Sequence, residues 1–130
     1  MPKVFGSVDE LERPVVRIQP VGKDEILAVI DTGFNRQLMM RRADAMHCGV
    51  SETESFEKVE LGTGDKLRLR KGIGNFHWLG AEHVMEVFLS DELGAPHRAD
   101  QPVALIGTRL LRSCLLLIDF DVGLVEIEKT

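Results

Sequence analysis

Tyrosine is absent from this 130-residue chain, tryptophan occurs once and phenylalanine six times. An interior with so few aromatics must be built mainly from Val, Leu, Ile and Met. Cysteine is scarce too. Cys48 and Cys114 have neither metal-ligand spacing nor a disulfide framework around them, so they read as buried free thiols of a reducing cytosol. No run approaches the roughly 18 apolar residues that a membrane span needs. The start, Met1-Pro2-Lys3-Val4 and then Asp9-Glu10, holds no apolar segment of signal-peptide type. Secretion and membrane insertion lack support, and a cytoplasmic location is expected. Excess positive charge is also missing: 16 Lys and Arg against 21 Asp and Glu leave a net charge of −5. That balance argues against nucleic acid or an anionic membrane as partner, because both reward a basic surface. The one basic stretch, Lys66 to Lys71, interleaves its charges with Leu67 and Leu69, as on the wet face of a half-buried strand.

What is present fits one globular domain over residues 1–130, with 44% hydrophobic and 28% charged residues. Apolar segments of about six to nine residues alternate with turn signals, the spacing of an all-β fold. Strands are expected at Val4–Val8, Val15–Ile18, Ile26–Ile30, Val59–Leu61 and Leu67–Leu69. Others are expected at Gly74–Leu79, Val84–Leu89, Val103–Ile106, Leu115–Phe120 and Leu124–Ile127. The pattern predicts a short helix between Met40 and Cys48, with Ala43, Met46 and Val50 on its apolar face and Gly49 as its stop. A helical turn is expected at Thr108–Arg112, a hairpin tip at Gly62-Thr63-Gly64-Asp65, and a surface loop from Ser90 to Pro102.

The run Ile26-Leu27-Ala28-Val29-Ile30 is continuously apolar and stops at Asp31. Continuous apolarity means that both faces of the strand are covered, so a carboxylate emerges where a central strand ends. Thr32 adds a hydroxyl that donates and accepts, and Gly33 permits close backbone approach. Taken alone, Asp-Thr-Gly is also a serviceable turn. A second feature sharpens the reading: Leu105-Ile106-Gly107 ends another strand and leads into Thr108-Arg109-Leu110-Leu111.

The pairing of apolar-Asp-Thr-Gly with a later apolar-apolar-Gly and short helix resembles the retropepsin-like aspartic proteases. Val29-Ile30-Asp31-Thr32-Gly33-Phe34-Asn35 is especially similar to a small bacterial branch of them. The resemblance covers nearly the whole chain in order. It implies an all-β fold with one or two short helices: a closed β-barrel of acid-protease half-fold type, assembled as a C2 homodimer. It implies Asp31, Thr32 and Gly33 as the catalytic motif, with Phe34, Asn35, Ile106 and Gly107 beside the substrate. The hairpin tip Gly62, Thr63 and Gly64 falls where the family has a flap over bound peptide. Gly107 matches the glycine that lets the chain loop through itself behind the catalytic turn. Only one Asp-Thr-Gly is present, so the second carboxylate is expected from another copy, with Thr32 bonding across the axis. The terminal strands, Val4-Phe5 and Leu124 to Ile127, are expected to interleave into the dimer sheet, and deletion from Leu124 onward is expected to abolish it. No cofactor and no metal are implied; the partners are a second copy and a peptide or protein substrate. Arg36 departs from the small residue usual in relatives and is a candidate for a substrate carboxylate. Gly62-Thr63-Gly64 departs from the usual Ala-Asp-Gly flap.

Other residues are assigned blander roles. His77 and His83 flank a turn, but two histidines without a third ligand make no metal site. His47 is read as a surface imidazole. Gly62-Thr63-Gly64-Asp65-Lys66 lacks the spacing and following helix of a phosphate loop. Met39, Met40 and Met46 are assigned to packing, and Trp78 to core or interface. The rival functional reading keeps the fold as a catalytically idle peptide-binding or dimerisation module; a small β-barrel binding protein with a coincidental motif is the third.

Overall fold

A computed structural model of the chain describes residues 2–90 and 100–130. Ten strands and one helix follow in the order β1 (Lys3–Val8), β2 (Pro14–Pro20), β3 (Ile26–Ile30), β4 (Leu38–Arg41), α1 (Arg42–His47), β5 (Ser51–Glu60), β6 (Lys66–Trp78), β7 (Ala81–Ser90), β8 (Pro102–Ile106), β9 (Cys114–Asp119) and β10 (Leu124–Lys129). Strands β6, β7, β4, β8, β3 and β2 run side by side, and a short β2–β6 pairing, Gln19↔His77 and Pro20↔Phe76, closes them into a six-stranded barrel. Closure leaves free edges only outside the barrel, on β5 and β9 among the described strands. Its interior holds Val16, Ile18, Ala28, Ile30, Leu38, Met40, Phe76, Met85, Val87 and Ile106. Each of these side chains larger than alanine contributes about 1.5–3 kcal/mol by leaving water.

The position of β8 sets up the site. It lies between β3, to which it is parallel, and β4, to which it is antiparallel. The chain leaving β3 must therefore loop past the end of β8 to enter β4. Residues 31–37 make that loop, and Gly107 sits under it. A Cβ on Gly107 would fall 2.1 Å from the Arg36 carbonyl oxygen and 2.6 Å from that of Phe34. Only glycine fits there.

Two extensions leave the barrel. Strand β6 runs 13 residues, pairing with β5 from Lys66 to Ile73 and with β7 from Arg70 to Trp78. The separate strands expected at Leu67–Leu69 and Gly74–Leu79 are thus one. Gly72 and Gly74 are not turn residues: a Cβ on Gly72 would lie 2.7 Å from Val50 Cγ1, so they serve close packing. The hairpin β5–β6 projects past the barrel with its tip at Gly62–Asp65, as expected. On the other side β1, β10 and β9 extend the sheet from β2. Strands β1 and β10 pair with each other within the chain, from Lys3↔Glu128 to Ser7↔Leu124. The two terminal strands thus lie side by side at one end of the sheet, where interleaving was expected between copies. The β9–β10 hairpin already supplies β1 with its partner.

Helix α1 spans Arg42–His47, shorter than expected, because Met40 belongs to β4. Its buried side is Ala45, continued by Cys48, while Ala43 and Met46 face outward. Residues 108–113 form successive turns and no helix, closed by Leu110 N–H to the Gly107 carbonyl and Leu111 N–H to the Thr108 carbonyl. Of the loop expected from Ser90 to Pro102, residues 91–99 lie outside the described residues, and its two ends belong to strands. No helix among the described residues is long and apolar enough to cross a membrane.

Candidate active site

Asp31 is the first residue past β3. Its N–H donates to the Ile106 carbonyl at 2.9 Å, which extends the β3–β8 pairing by one rung. The chain then turns on itself. Gly33 N–H donates to Asp31 Oδ1 at 2.9 Å, and Phe34 N–H donates to the Asp31 carbonyl at 3.1 Å. An aspartate followed by a small residue closes such a turn readily, because the carboxylate accepts from the backbone two residues on. The far side of the loop is pinned to the Gly107 segment: Gly107 N–H donates to the Gln37 carbonyl at 3.0 Å and Thr108 N–H to the Phe34 carbonyl at 2.8 Å. Asp31 is therefore held by backbone bonds on both sides, which fixes its position without relying on a flexible side-chain partner.

Phe34 anchors the loop from below. Its side chain is fully buried in a second small core with Val59 of β5 and Phe88 of β7, against which Met39, Leu69 and Leu105 pack. The buried ring itself does not line the cleft, and Phe34 joins the Asp31 loop to the base of the hairpin. Ile106, also fully buried, stands in the barrel core and likewise offers no side-chain surface to a ligand. Thr32 and Asn35 are exposed.

Arg36 strengthens the same junction. Its guanidinium pairs with Glu57 Oε1 at 3.3 Å and donates to the Lys58 carbonyl at 3.2 Å, both on β5. It also stands over the Phe88 ring, 5.4 Å from its centre. Lys71, then burial acting in the opposite sense, then Arg36 set the Glu57 carboxyl, which is held below the usual range. Arg36 thus joins loop to hairpin, with Glu57 as the carboxylate it meets.

The hairpin tip lies over the Asp31 loop. A Cβ on Gly33 would come within 2.8 Å of Gly62 Cα and 3.3 Å of Asp31 Oδ1. Thr63 and Asp65 bond to each other at 3.1 Å and are exposed, so the tip is stiffened from within and free to meet solvent. Between hairpin and barrel runs a cleft of about 760 Å³. Leu61, Leu67 and Leu69 line it from the hairpin, Val29 and Leu105 from the barrel, and Arg13 and Arg41 are at its wall. Among the described residues Asp31 is the one carboxylate in that lining. Both arginines face carboxylates of their own, Asp9 and Asp44.

Asp119 is engaged elsewhere: it accepts from the N–H groups of Asp121 and Val122 and so closes the β9–β10 turn. His77 stands opposite Glu82 and His83 opposite Phe76, so the two histidines lie on opposite faces of the β6–β7 ladder. Among the described residues no group of three His, Cys, Asp or Glu is placed to hold a metal ion. The sequence reading missed how Phe34 and Arg36 act; their partners on β5 and β7 are more than twenty residues away, beyond any local pattern.

The chain matches no protein-family model, no curated protein and no solved structure.

Proposed function

We propose that this chain is one half of a retropepsin-like aspartic endopeptidase of the bacterial type, in which Asp31 of two copies shares a water molecule. The observation that carries the reading is a single loop-held carboxylate facing an apolar, peptide-sized cleft beneath a glycine-tipped hairpin. Peptide hydrolysis of this class needs two carboxylates: one accepts a proton from the water while the other polarises the scissile carbonyl. Charges held about 3 Å apart cannot both ionise, so the pair carries one proton and titrates as a unit. One Asp31 per cleft is half of that device, which is why a second copy is required. The exposed Thr32 hydroxyl beside it is free to bond across the axis. Leu61, Leu67 and Leu69 would meet the side chains of an extended peptide, with Gly62, Thr63 and Gly64 closing over its backbone.

A second copy also has a surface to meet. The outer edge of β9 is unpaired among the described strands. The outward face of β9–β10–β1 presents Phe5, Leu115 and Leu117, each more than half exposed. Unpaired edges and apolar faces invite strand addition or packing, and a twofold contact would bury the same patch on both copies.

One observation favours the rival reading, an idle peptide-binding or dimerisation module: Gly62 rests against Gly33, so the hairpin must lift before a peptide can lie over Asp31. Cleavage of a diverse peptide mixture by wild type and Asp31→Asn, from about pH 4 to about pH 7, separates the two. Cleavage by wild type alone is expected. A dimer that binds peptides without cutting them would establish the module, and a chain that neither dimerises nor cuts would leave Asp31-Thr32-Gly33 as an ordinary turn.

A further inference from the structure

We infer that the chain carries a second site, a phosphate-binding pocket on the far side of the Asp31 loop. A small cavity of about 180 Å³ opens between the C-terminal segment and the β6–β7 turn. Gln37 reaches it from the loop that follows Asp31, Trp78 and His83 from β6 and β7, Arg109 and Arg112 from the turns after Gly107, and Lys129 from the end of β10. Among the described residues no aspartate or glutamate lines it.

What sets these cations apart is that three of them share one cavity. The chain is acidic, with 21 Asp and Glu against 16 Lys and Arg. Lys3, Arg13, Arg36, Arg42, Arg70 and Lys71 all pair with carboxylates. Arg109, Arg112 and Lys129 make no ion pair among the described residues, yet they converge on one cavity. Three like charges held together without a counter-ion repel one another, and an anion between them relieves that repulsion.

Neutral donors point to the same chemistry. Gln37 Oε1 accepts from Glu86 N–H at 2.8 Å, which leaves the amide nitrogen of Gln37 as the group with hydrogens still to donate. Trp78 forms part of the wall, and its Nε1 is buried without an acceptor. Buried donors left unmet are few in folded proteins, and each asks for a partner. The pocket is therefore rich in donors and poor in acceptors, which suits an oxyanion rather than a cation or an apolar group. Arginine forks match the oxygens of phosphate, two bonds at a time. Size limits the ligand further, because pockets for drug-sized molecules begin at about 300 Å³. A single phosphate group fits, either as the free ion or as the head of a small phosphomonoester.

Trp78 is the only tryptophan, so its emission reports on the pocket directly. Wild-type protein is titrated with sodium phosphate and with glycerol phosphate, against sodium chloride at matched ionic strength. A saturable change in emission with phosphate and a rise in melting temperature, neither produced by chloride, are expected. Saturation by glycerol phosphate alone would identify the ester as the source of the group. The double substitution Arg109→Gln/Arg112→Gln, at two exposed positions, should weaken the midpoint at least about tenfold. Asp31→Asn should leave it unchanged, since the site does not depend on the protease reading. A response that fails to saturate with either ligand, that chloride reproduces, or that survives the double substitution would overturn the proposal.

Discussion

Gly33 and Gly62 touch backbone to backbone, one in the loop behind Asp31 and the other at the tip of the β5–β6 hairpin. A Cβ on Gly33 would stand 2.8 Å from Gly62 Cα, whereas one on Gly62 would stand 3.3 Å from Gly33 Cα. The two glycines are therefore not equivalent. Gly33→Ala must displace the tip or the Asp31 carboxylate, and misplacement by about 1 Å costs on the order of a hundredfold in rate. We expect kcat/KM for peptide cleavage to fall by about that factor in Gly33→Ala, with a smaller loss in Gly62→Ala. The melting temperature should move little, because the exposed tip can yield. Equal activity of Gly33→Ala and wild type would show that the hairpin is not seated on the loop during turnover.

Gly107 offers no such escape. Its would-be Cβ collides with two carbonyl oxygens of a loop pinned at Gln37 and Phe34. Gly107→Ala should lose about 3 kcal/mol of stability, the upper range for overpacking. Gly123→Ala is the control: its φ of 71° is left-handed, but nothing lies within 4 Å of a new Cβ. There the cost should be only about 1–2 kcal/mol. Denaturant unfolding of both variants gives the comparison, and similar losses would mean that the loop over Gly107 is loosely held.

Local patterns carried much of this fold, and their failures have physical causes. Strand β3 was bounded correctly at Ile26 and Ile30 because its apolar run is unbroken and ends at a carboxylate. Strand β4 went unnoticed because four residues, Leu38–Arg41, merge in pattern with the helix that follows. Strand β6 was split at residues 70–73, although Gly72 and Gly74 avoid positive φ and serve close approach within one strand. The site divides in the same way. Asp31 and Gly107 were legible from their own neighbours in sequence. The role of Phe34 depends on Val59 and Phe88, and that of Arg36 on Glu57, contacts that only the folded chain creates.

Acid should weaken the fold through three paired carboxylates. Asp9 is held low by the Arg13 backbone N–H and side chain, Glu52 by Arg42 and Arg70, and Glu57 by Lys71 and Arg36. Each folded pKa lies below its unfolded value of about 4. Their contribution is present in full above that value and is lost as pH falls through the depressed folded values. Thermal melts should therefore be nearly flat from about pH 7 to about pH 5 and decline below about pH 4. Glu57→Gln should remove part of that decline. A melting temperature that rises on acidification would contradict the assignment.

The thiols should differ in reactivity. Burial, with Asp44 nearby, pushes Cys48 up to about 11, and burial raises Cys114 as well. At pH 8 a thiol of that pKa holds roughly two hundred times less thiolate than an unperturbed cysteine. Cys48 is also enclosed, whereas Cys114 is half-buried. A thiol-reactive dye should label Cys114 first and Cys48 only on unfolding, as peptide mass spectrometry of timed samples would reveal. Early labelling of Cys48 would mean that helix α1 opens readily.

Dimerisation is best tested on the face of β9. Deleting residues from Leu124 onward would strip β1 of its partner strand and damage the fold itself, so point substitution is the cleaner probe. Leu117 stands opposite Glu126, which in turn stands opposite Phe5. Leu117→Arg places a cation beside that carboxylate, a favourable cross-strand pair within the chain. Between two copies the same change removes apolar contact and brings like charges together across the twofold axis. The folded monomer should persist, while the dimer dissociation constant rises at least about tenfold. Peptide cleavage should fall at low protein concentration and recover at high concentration, because the Asp31 loop is untouched. A variant that dimerises as tightly as wild type would move the twofold contact away from β9. A wild-type chain that cuts peptides as a monomer would remove the need for the second Asp31.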